Sequence, residues 1–202
     1  MKRFFLILLA AALVFLCILA GRTLYFPSIQ PAAAPCTAPA IDADPAAARL
    51  AGMIRFQTIS NRDTAQVDAA AFTALHAYLA TAFPKVHAAC KRDVINTLSL
   101  LYTWPGSDPS LPPVLFLAHQ DVVPVEALDK WEHPPFSGDI ADGFVWGRGT
   151  LDDKGCLGAI LESVEALLAT GFTPKRTILL AFGHDEETCG ANGAGAIAAH
   201  LK

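Results

Sequence analysis

Charged residues are scarce in this chain. They make up 17% of its 202 residues, whereas an average domain has about 25%. Apolar residues make up 53%, which excludes an intrinsically disordered protein, because disordered proteins lack the apolar side chains that offset the entropy cost of ordering. The 15 Lys and Arg residues are outnumbered by 19 Asp and Glu residues, and the formal net charge is −4. No nucleic-acid partner is therefore expected, since phosphate binding needs clustered Lys and Arg.

Cysteine is too scarce to define the fold. Five cysteines, an odd number, do not form a disulfide framework in a chain of this length. The 14 Gly and 14 Pro residues follow no triplet period, which excludes collagen. The length suits one ordinary domain or part of a larger one.

One long apolar run lies at the N-terminus. Lys2 and Arg3 precede an uninterrupted apolar run over residues 4–20, and Arg22 follows it. A helix of about 18 residues rises roughly 27 Å, close to the ~30 Å hydrocarbon thickness of a bilayer. We expect residues 1–22 to be a retained signal anchor, a single transmembrane helix with its positive end in the cytoplasm and the remainder of the protein outside. The alternative is a cleaved signal peptide and a secreted protein, but the run exceeds the roughly 7–15-residue apolar region of such peptides and no clear cleavage site follows.

The remaining chain divides into a linker and a folded region. Residues 23–43 are rich in Pro and Ala and predict an extended linker. Over residues 44–202, short apolar runs alternate with amphipathic helical patterns. Strands are predicted at residues 98–104, 114–118 and 177–182, and the wholly apolar run at 114–118 is expected to be buried on both faces. This alternation predicts an α/β domain with a mostly parallel sheet sandwiched between helices.

Three polar clusters lie where such a sheet places its chemistry. Ligands of open α/β sheets gather beyond the carboxyl ends of the strands. Residues 119–121 directly follow one predicted strand, residues 185–187 follow another, and residues 152–153 lie between a Gly-rich turn and the next helix. One imidazole and several carboxylates can therefore converge at one sheet edge. Three protein ligands with an open position are typical of a catalytic zinc site.

Each cluster also has a simpler interpretation. A single His at a strand end is more often a surface or core residue than a metal ligand. The two acidic clusters can merely cap the helices that follow them, because carboxylates suit the positive end of the helix dipole. Three such clusters at successive strand ends favour the metal site. The remaining histidines, apart from one that adjoins the acidic run, are predicted to be surface residues: His76, His87, His133 and His200.

The clusters belong to four motifs that occur in order along the chain. They are HQDVVP at 119–124, PFSG at 135–138, GRGTLDDKG at 147–155 and GHDEE at 183–187. Together they resemble the co-catalytic di-zinc metallopeptidases of the aminoacylase/carboxypeptidase group, metallopeptidase family M20. The resemblance is greatest to the branch of Gly-Xaa carboxypeptidases and N-acyl-amino-acid hydrolases, and it covers roughly residues 44–202.

The resemblance implies a set of metal ligands. His119 corresponds to a ligand of one ion, Glu187 to a ligand of the other, and Asp152 to a carboxylate that bridges the two. The implied cofactors are two zinc ions, although carboxylate and imidazole sites also accept Co or Mn.

The resemblance also implies catalytic roles. Glu186 corresponds to the general base, which takes a proton from the attacking water and returns it to the leaving amine. Asp121 corresponds to the group that orients the His119 imidazole. The bond between Asp152 and Asp153 corresponds to a cis peptide of the family.

The function implied is metal-dependent hydrolysis of an amide or peptide bond in a small peptide or N-acyl amino acid. The alternative from another class is a membrane-tethered, non-catalytic module for metal binding or interaction. The family pattern adds a further carboxylate, a distal His and a smaller lid or dimerisation domain, through which a homodimer is expected. The chain therefore looks truncated at its C-terminus, and residues 1–202 alone are expected to bind metal weakly and to be inactive.

Overall fold

The structure is a computed structural model that describes residues 2–27 and 37–202. It divides into two units, Met1–Thr37 and Ala38–Lys202. In the first unit, helix α1 spans Lys2–Leu24, carries no acidic residue in its first turn and is exposed along nearly its whole length. Its 23 residues make it long and apolar enough to cross a membrane, but a signal sequence has the same properties. The anchor stays a prediction, and the central part of the predicted linker, residues 28–36, lies outside the described residues.

The second unit, all of which the structure describes, contains five helices and six strands. The helices are α2 (Ala43–Ile54), α3 (Ala69–Ala82), α4 (Pro84–Ala89), α5 (Lys154–Ala169) and α6 (Ala194–His200). The strands are β1 (Lys91–Ile95), β2 (Ser99–Trp104), β3 (Val114–His119), β4 (Asp139–Ala141), β5 (Phe144–Trp146) and β6 (Ile178–Gly183). Strands β4 and β5 form a separate hairpin, and the other four form the main sheet.

Local sequence explains where the first helices begin and end. The Asp42 carboxylate accepts from the Asp44 N–H at the start of α2. The Asp68 carboxylate accepts from the Ala70 N–H at 3.0 Å at the start of α3. Pro84 ends α3 because its ring excludes the residue before it from helical backbone angles. These caps satisfy amide groups that a helix leaves unpaired at its N-terminus.

The main sheet has the order β1-β2-β6-β3. Strand β3 pairs parallel with β6, whereas β2 pairs antiparallel with both β1 and β6. The predicted α/β fold with helices around a sheet is confirmed, but the sheet is mixed rather than mostly parallel. The reason is the β1–β2 connection: Asn96 and Thr97 adopt positive φ values of 46° and 73°, and so short a turn joins only antiparallel neighbours. The mostly polar sequence of β1 gave no apolar run to indicate this strand.

Helices cover both faces of the sheet. One face packs against α2, α3, α4 and α5, and the other packs against α6. The larger core combines aromatic and aliphatic side chains of these helices with those of β2 and β6: Met53, Leu75, Leu79, Phe83, Val86, Leu100, Tyr102, Trp104, Leu157, Leu161, Val164, Leu180 and Phe182. The smaller core on the other face contains Leu101, Ala181 and Ile197. Strand β6 contributes to both cores, as its central position requires.

Strand β3 lies at the edge of the sheet, and its environment differs from the prediction. Leu115, Phe116 and Leu117 are 41%, 47% and 60% exposed, so the expectation that this strand is buried on both faces is wrong. An apolar run indicates a buried strand only when the strand has neighbours on both sides, and among the described residues of the sheet β3 pairs with β6 alone.

Candidate metal centre

The parallel pairing of β3 with β6 brings two polar clusters to one edge of the sheet. His119 is in register with Gly183, and the Gln120 N–H donates to the Gly183 carbonyl oxygen at 2.8 Å. The acidic run at 185–187 begins two residues later. The third cluster arrives on the loop before α5, where Asp153 Oδ2 accepts from the His119 N–H at 3.2 Å. All three clusters therefore meet at the carboxyl ends of β3 and β6.

Three side chains form a cluster that can hold a metal ion. His119, Asp152 and Glu187 each offer one ligand atom, and these atoms lie within 4.8 Å of one another. His119 Nε2 is 3.0 Å from Asp152 Oδ1. Imidazole nitrogens and carboxylate oxygens are both zinc ligands, so the donor set fits this ion. The structure thus brings together the three residues that the sequence assigned to metal binding.

The charges around this cluster shift two pKa values. Burial lowers the pKa of His119, but the Asp121 and Asp152 carboxylates outweigh burial and raise this pKa to about 9. Burial and the charge of Asp152 raise the pKa of Glu187. A cation in the cluster favours the neutral imidazole and the ionised carboxylate, because like charges repel and opposite charges attract. The cluster therefore has the electrostatic properties of a cation site.

Asp121 supports the cluster from its buried side. Its fully buried carboxylate places Oδ1 3.3 Å from His119 Nδ1, and its own carbonyl oxygen is 3.0 Å from the same nitrogen. The same carboxylate accepts from the Glu186 N–H through Oδ1 and from the Glu187 N–H through Oδ2, each at 3.1 Å. Burial alone raises the pKa of Asp121, but the neighbouring His119 ring and the backbone N–H groups of Glu186 and Glu187 outweigh it and lower the pKa. Asp121 is thus an ionised acceptor that joins two clusters.

Glu186 lies at the rim of the cluster. Its side chain is 60% exposed, and its Oε2 atom is 3.8 Å from His119 Nε2. It does not belong to the three-residue metal cluster. The backbone N–H of Glu186 is fixed by Asp121, while its carboxylate stays accessible to solvent. The Glu186 carboxylate is therefore accessible to water directly beside the cluster.

The loop that carries Asp152 has the expected backbone. The peptide bond between Asp152 and Asp153 is cis, which confirms the prediction. Lys154, the next residue, is fully buried and donates to the carbonyl oxygens of Met53 at 3.2 Å and Phe56 at 2.6 Å. Burial lowers the pKa of Lys154 to about 7. No role is predicted for this lysine, because nothing local in its motif indicates that its ammonium group reaches the end of α2.

Two further buried residues were missed. Gln120 is fully buried, and its amide oxygen lies 2.7 Å from Nε2 of His76. His76 is only 7% exposed, so the prediction that it is a surface residue is wrong. His87 and His133 are half-buried, which also departs from the prediction, and His200 is exposed as expected. The position of His76 within α3 carried the signal, since Phe72, Leu75 and Leu79 lie on the same helical face.

Comparison with protein families finds a match for the C-terminal part of the chain. Residues 115–202 match the family described as peptidase family M20/M25/M40. The chain is 53% identical over 150 residues to probable carboxypeptidase S-like 2 of Dictyostelium discoideum, a match that covers 73% of this chain and 29% of that protein. It is 51% identical over 134 residues to carboxypeptidase S of Saccharomyces cerevisiae, covering 64% of this chain and 23% of that protein.

A third relative carries a different activity in its name. The chain is 44% identical over 156 residues to N-fatty-acyl-amino acid synthase/hydrolase PM20D1 of Bos taurus, a match that covers 76% of this chain and 30% of that protein. The chain therefore spans less than a third of the length of these curated relatives.

Solved structures show the same fold. Human carnosine dipeptidase 1 has a TM-score of 0.59 at 23% identity, covering 74% of this chain and 33% of that one. The M20 family metallo-carboxypeptidase Sso-CP2 of Sulfolobus solfataricus has a TM-score of 0.56 at 20% identity, covering 71% of this chain and 31% of that one. At these identities the likeness concerns the fold alone.

Proposed function

We propose that the protein hydrolyses an amide or peptide bond, as a carboxypeptidase or an N-acyl-amino-acid hydrolase, because residues 115–202 match peptidase family M20/M25/M40 and two similar proteins carry these activities in their names. The observation that carries this proposal is the convergence of His119, Asp152 and Glu187, with the exposed Glu186 carboxylate beside them. Small peptides and N-acyl amino acids are the proposed substrates, since both share the amide carbonyl on which such a site acts.

The proposed cofactors are two zinc ions, with Co or Mn as alternatives. His119 is assigned to one ion and Glu187 to the other, with Asp152 between them. The 76% exposure of the Asp152 side chain supports this assignment, because a bridging carboxylate needs both oxygens accessible. When bound, such ions polarise a carbonyl group and lower the pKa of water towards about 7.

The side chains of this chain supply proton transfer and orientation. We assign Glu186 as the general base, which takes a proton from the attacking water and delivers it to the leaving amine nitrogen as the C–N bond breaks. Groups in this role contribute about 10²–10⁴-fold in rate. Asp121 holds the His119 ring in one orientation and fixes the backbone from which Glu186 projects. No covalent intermediate with the protein is part of this proposal.

The test of this assignment is Glu186→Gln in the full-length protein, assayed with dipeptides and N-acyl amino acids of several chain lengths. We expect turnover to fall at least about 100-fold while the metal content stays unchanged, because a base does not hold the metal. Metal is measured by elemental analysis of the purified protein.

Glu132→Gln is the matched control, since Glu132 is exposed and lies outside the cluster. Metal loss in Glu186→Gln equal to that in Glu187→Gln means that the roles of the two glutamates are wrongly assigned. A wild-type protein that binds metal but cleaves no substrate of either class supports the non-catalytic module instead.

We also propose that α1 anchors the protein in the membrane with the Ala38–Lys202 unit outside the cytoplasm. The length of α1, about 35 Å at 1.5 Å per residue, and the basic Lys2 and Arg3 at its start support this proposal. The protein is then expected to stay in the membrane fraction through a carbonate wash. A soluble product with a new N-terminus after residue 20 contradicts the anchor and indicates a cleaved signal peptide.

A further inference from the structure

Gln120 lies between the ligand His119 and the supporting Asp121, but its side chain points away from the metal cluster. Neighbouring residues of an extended segment project to opposite sides, so Gln120 enters the protein interior where His119 and Asp121 face the site. It is fully buried. Its Nε2 donates to the Leu98 carbonyl oxygen at 3.0 Å and to the Phe182 carbonyl oxygen at 2.8 Å. The side-chain amide of Gln120 thus links the start of β2 to the end of β6, on the buried side of the metal cluster.

These bonds fix the orientation of the amide and the proton on its partner. Carbonyl oxygens only accept hydrogen bonds, so the amide nitrogen of Gln120 must face them and its oxygen must face His76. That oxygen lies 2.7 Å from His76 Nε2, which therefore carries the hydrogen and donates. Burial lowers the pKa of His76, so the ring is neutral with its proton on Nε2. Each polar atom of the Gln120 side chain is then paired.

We propose that His76 is a positioning residue for the metal centre, acting through Gln120 on His119 and Asp121. His76 belongs to α3, which contributes no residue to the metal cluster itself. Its hydrogen bond holds the Gln120 amide against the ends of β2 and β6. With that amide fixed, the backbone on either side of it presents the His119 imidazole and the Asp121 carboxylate at fixed angles. This inference rests on the proposed metal function of the cluster.

The backbone of residues 119–121 is also held by Thr58, so an effect on metal geometry can be separated from an effect on stability. The Thr58 hydroxyl donates to the Gln120 carbonyl oxygen at 2.6 Å, and the Val122 N–H donates to the Thr58 carbonyl oxygen at 3.0 Å. Loss of the His76 bond should therefore leave the segment in place and alter only its twist. We expect a change in metal geometry that is larger than the change in stability.

The experiment titrates Co²⁺ into the purified protein and records the visible d–d spectrum, whose position and intensity report the coordination geometry. His76→Phe keeps a ring of similar size but removes the donor. We expect its Co²⁺ affinity to fall about 10-fold, the lower end of the ~10–100-fold cost of losing a group that orients a metal ligand, and its d–d spectrum to change. His76→Gln returns an N–H donor, so most of the affinity and the wild-type spectrum should return.

The control is His87→Phe. His87 is a half-buried histidine whose Nε2 lies 3.0 Å from the Tyr102 hydroxyl, and it lies outside the metal cluster. We expect this variant to lower the melting temperature without changing the Co²⁺ spectrum. If His76→Phe behaves in the same way, His76 is only a packing residue and the inference is overturned. If the wild-type protein binds no Co²⁺, the metal centre itself is overturned, and the inference with it.

One measurement does not depend on the folding of a variant. The ¹⁵N chemical shifts of the His76 ring in the wild-type protein report which nitrogen is protonated. We expect a protonated Nε2 and an unprotonated Nδ1 at neutral pH. The opposite tautomer contradicts the hydrogen bond to Gln120 and overturns the inference.

Discussion

The candidate metal centre has two sides that differ in burial and in hydrogen bonding. On the inner side, Asp121 and Asp185 are buried, and each binds two backbone N–H groups of neighbouring loops. On the outer side, Asp152 and Glu186 have side chains 76% and 60% exposed. The inner carboxylates thus position the backbone, whereas the outer ones are accessible from solvent.

The difference shows where the precision of the site originates. A buried carboxylate that accepts two N–H groups cannot move without leaving them unpaired, which costs about 1–3 kcal/mol for each group. The exposed carboxylates of Asp152 and Glu186 lack such a pair of N–H donors and lie beside the His119 ring. The outer side therefore acquires a fixed geometry when a cation binds, while the inner side has it beforehand. Three predictions test this contrast.

The largest effect is expected for Asp121→Ala. This change leaves the N–H groups of Glu186 and Glu187 without their acceptor and removes the partner of His119. We expect the free energy of unfolding to fall by about 3–5 kcal/mol and metal binding to be lost. Urea denaturation and metal analysis measure the two effects. Asp121→Asn keeps one oxygen acceptor and should recover part of the stability; a stable Asp121→Ala variant contradicts the supporting role.

The second prediction concerns pH at the junction of the two sides. In the absence of metal, the pKa of His119 is raised to about 9 from an ordinary value of 6.5. The stabilisation from its protonated ring is therefore complete below pH 6.5 and is lost as the pH rises through about 9. It amounts to at most about 3 kcal/mol. For the metal-free protein in chelator, we expect the melting temperature to fall between pH 6.5 and 9. In a separate series with added Zn²⁺ and no chelator, the rise in melting temperature caused by the metal should grow over the same window, because the proton that competes for the imidazole leaves.

His119→Gln is the control for this pH dependence. It removes the titrating ring, so the fall in melting temperature between pH 6.5 and 9 should become smaller than in the wild-type protein. An identical fall in both proteins assigns the pH dependence to other groups.

The smallest change in the fold is expected for Glu187→Gln. Glu187 is half-buried, and its carboxylate serves the outer side, so the free energy of unfolding should change by less than about 0.5 kcal/mol. Zinc affinity should nevertheless fall by more than about 10-fold, because loss of a group that only orients a metal ligand already costs ~10–100-fold. Isothermal titration with Zn²⁺ and urea denaturation separate the two. A large loss of stability would place Glu187 on the inner side.

The sequence predicted the three residues of the metal cluster better than the buried inner side that supports them. His119, Asp152 and Glu187 follow apolar or Gly-rich segments whose order along the chain indicates a common sheet edge, and the structure brings them together. Local patterns also indicated β3 and β6. These features depend on short stretches of chain, in which the period of apolar residues and the position of polar ones are directly readable.

The inner side depends on contacts that local patterns do not record. Asp121 was predicted to orient His119, but its bonds to the amides of residues 186 and 187 span 65 and 66 residues. The hydrogen-bond partner of Gln120 is His76, which lies 44 residues earlier in α3. The sequence around His76 does not indicate which residue it bonds. The antiparallel hairpin of β1 and β2 was missed for a similar reason, since the exposed side chains of β1 show no apolar alternation.

The central place of β6 has a consequence for synthesis of the protein on the ribosome. Among the main-sheet strands that the structure describes, β6 is the last to be translated, and Gln120, just after β3, lies 63 residues before Gly183 at the end of β6. At about 5–20 residues per second, a newly made β3 waits ~3–13 s before its partner exists. During that interval its Leu115, Phe116 and Leu117 lack the pairing with β6 that the folded sheet provides, so the order of synthesis leaves this apolar segment unpaired for seconds.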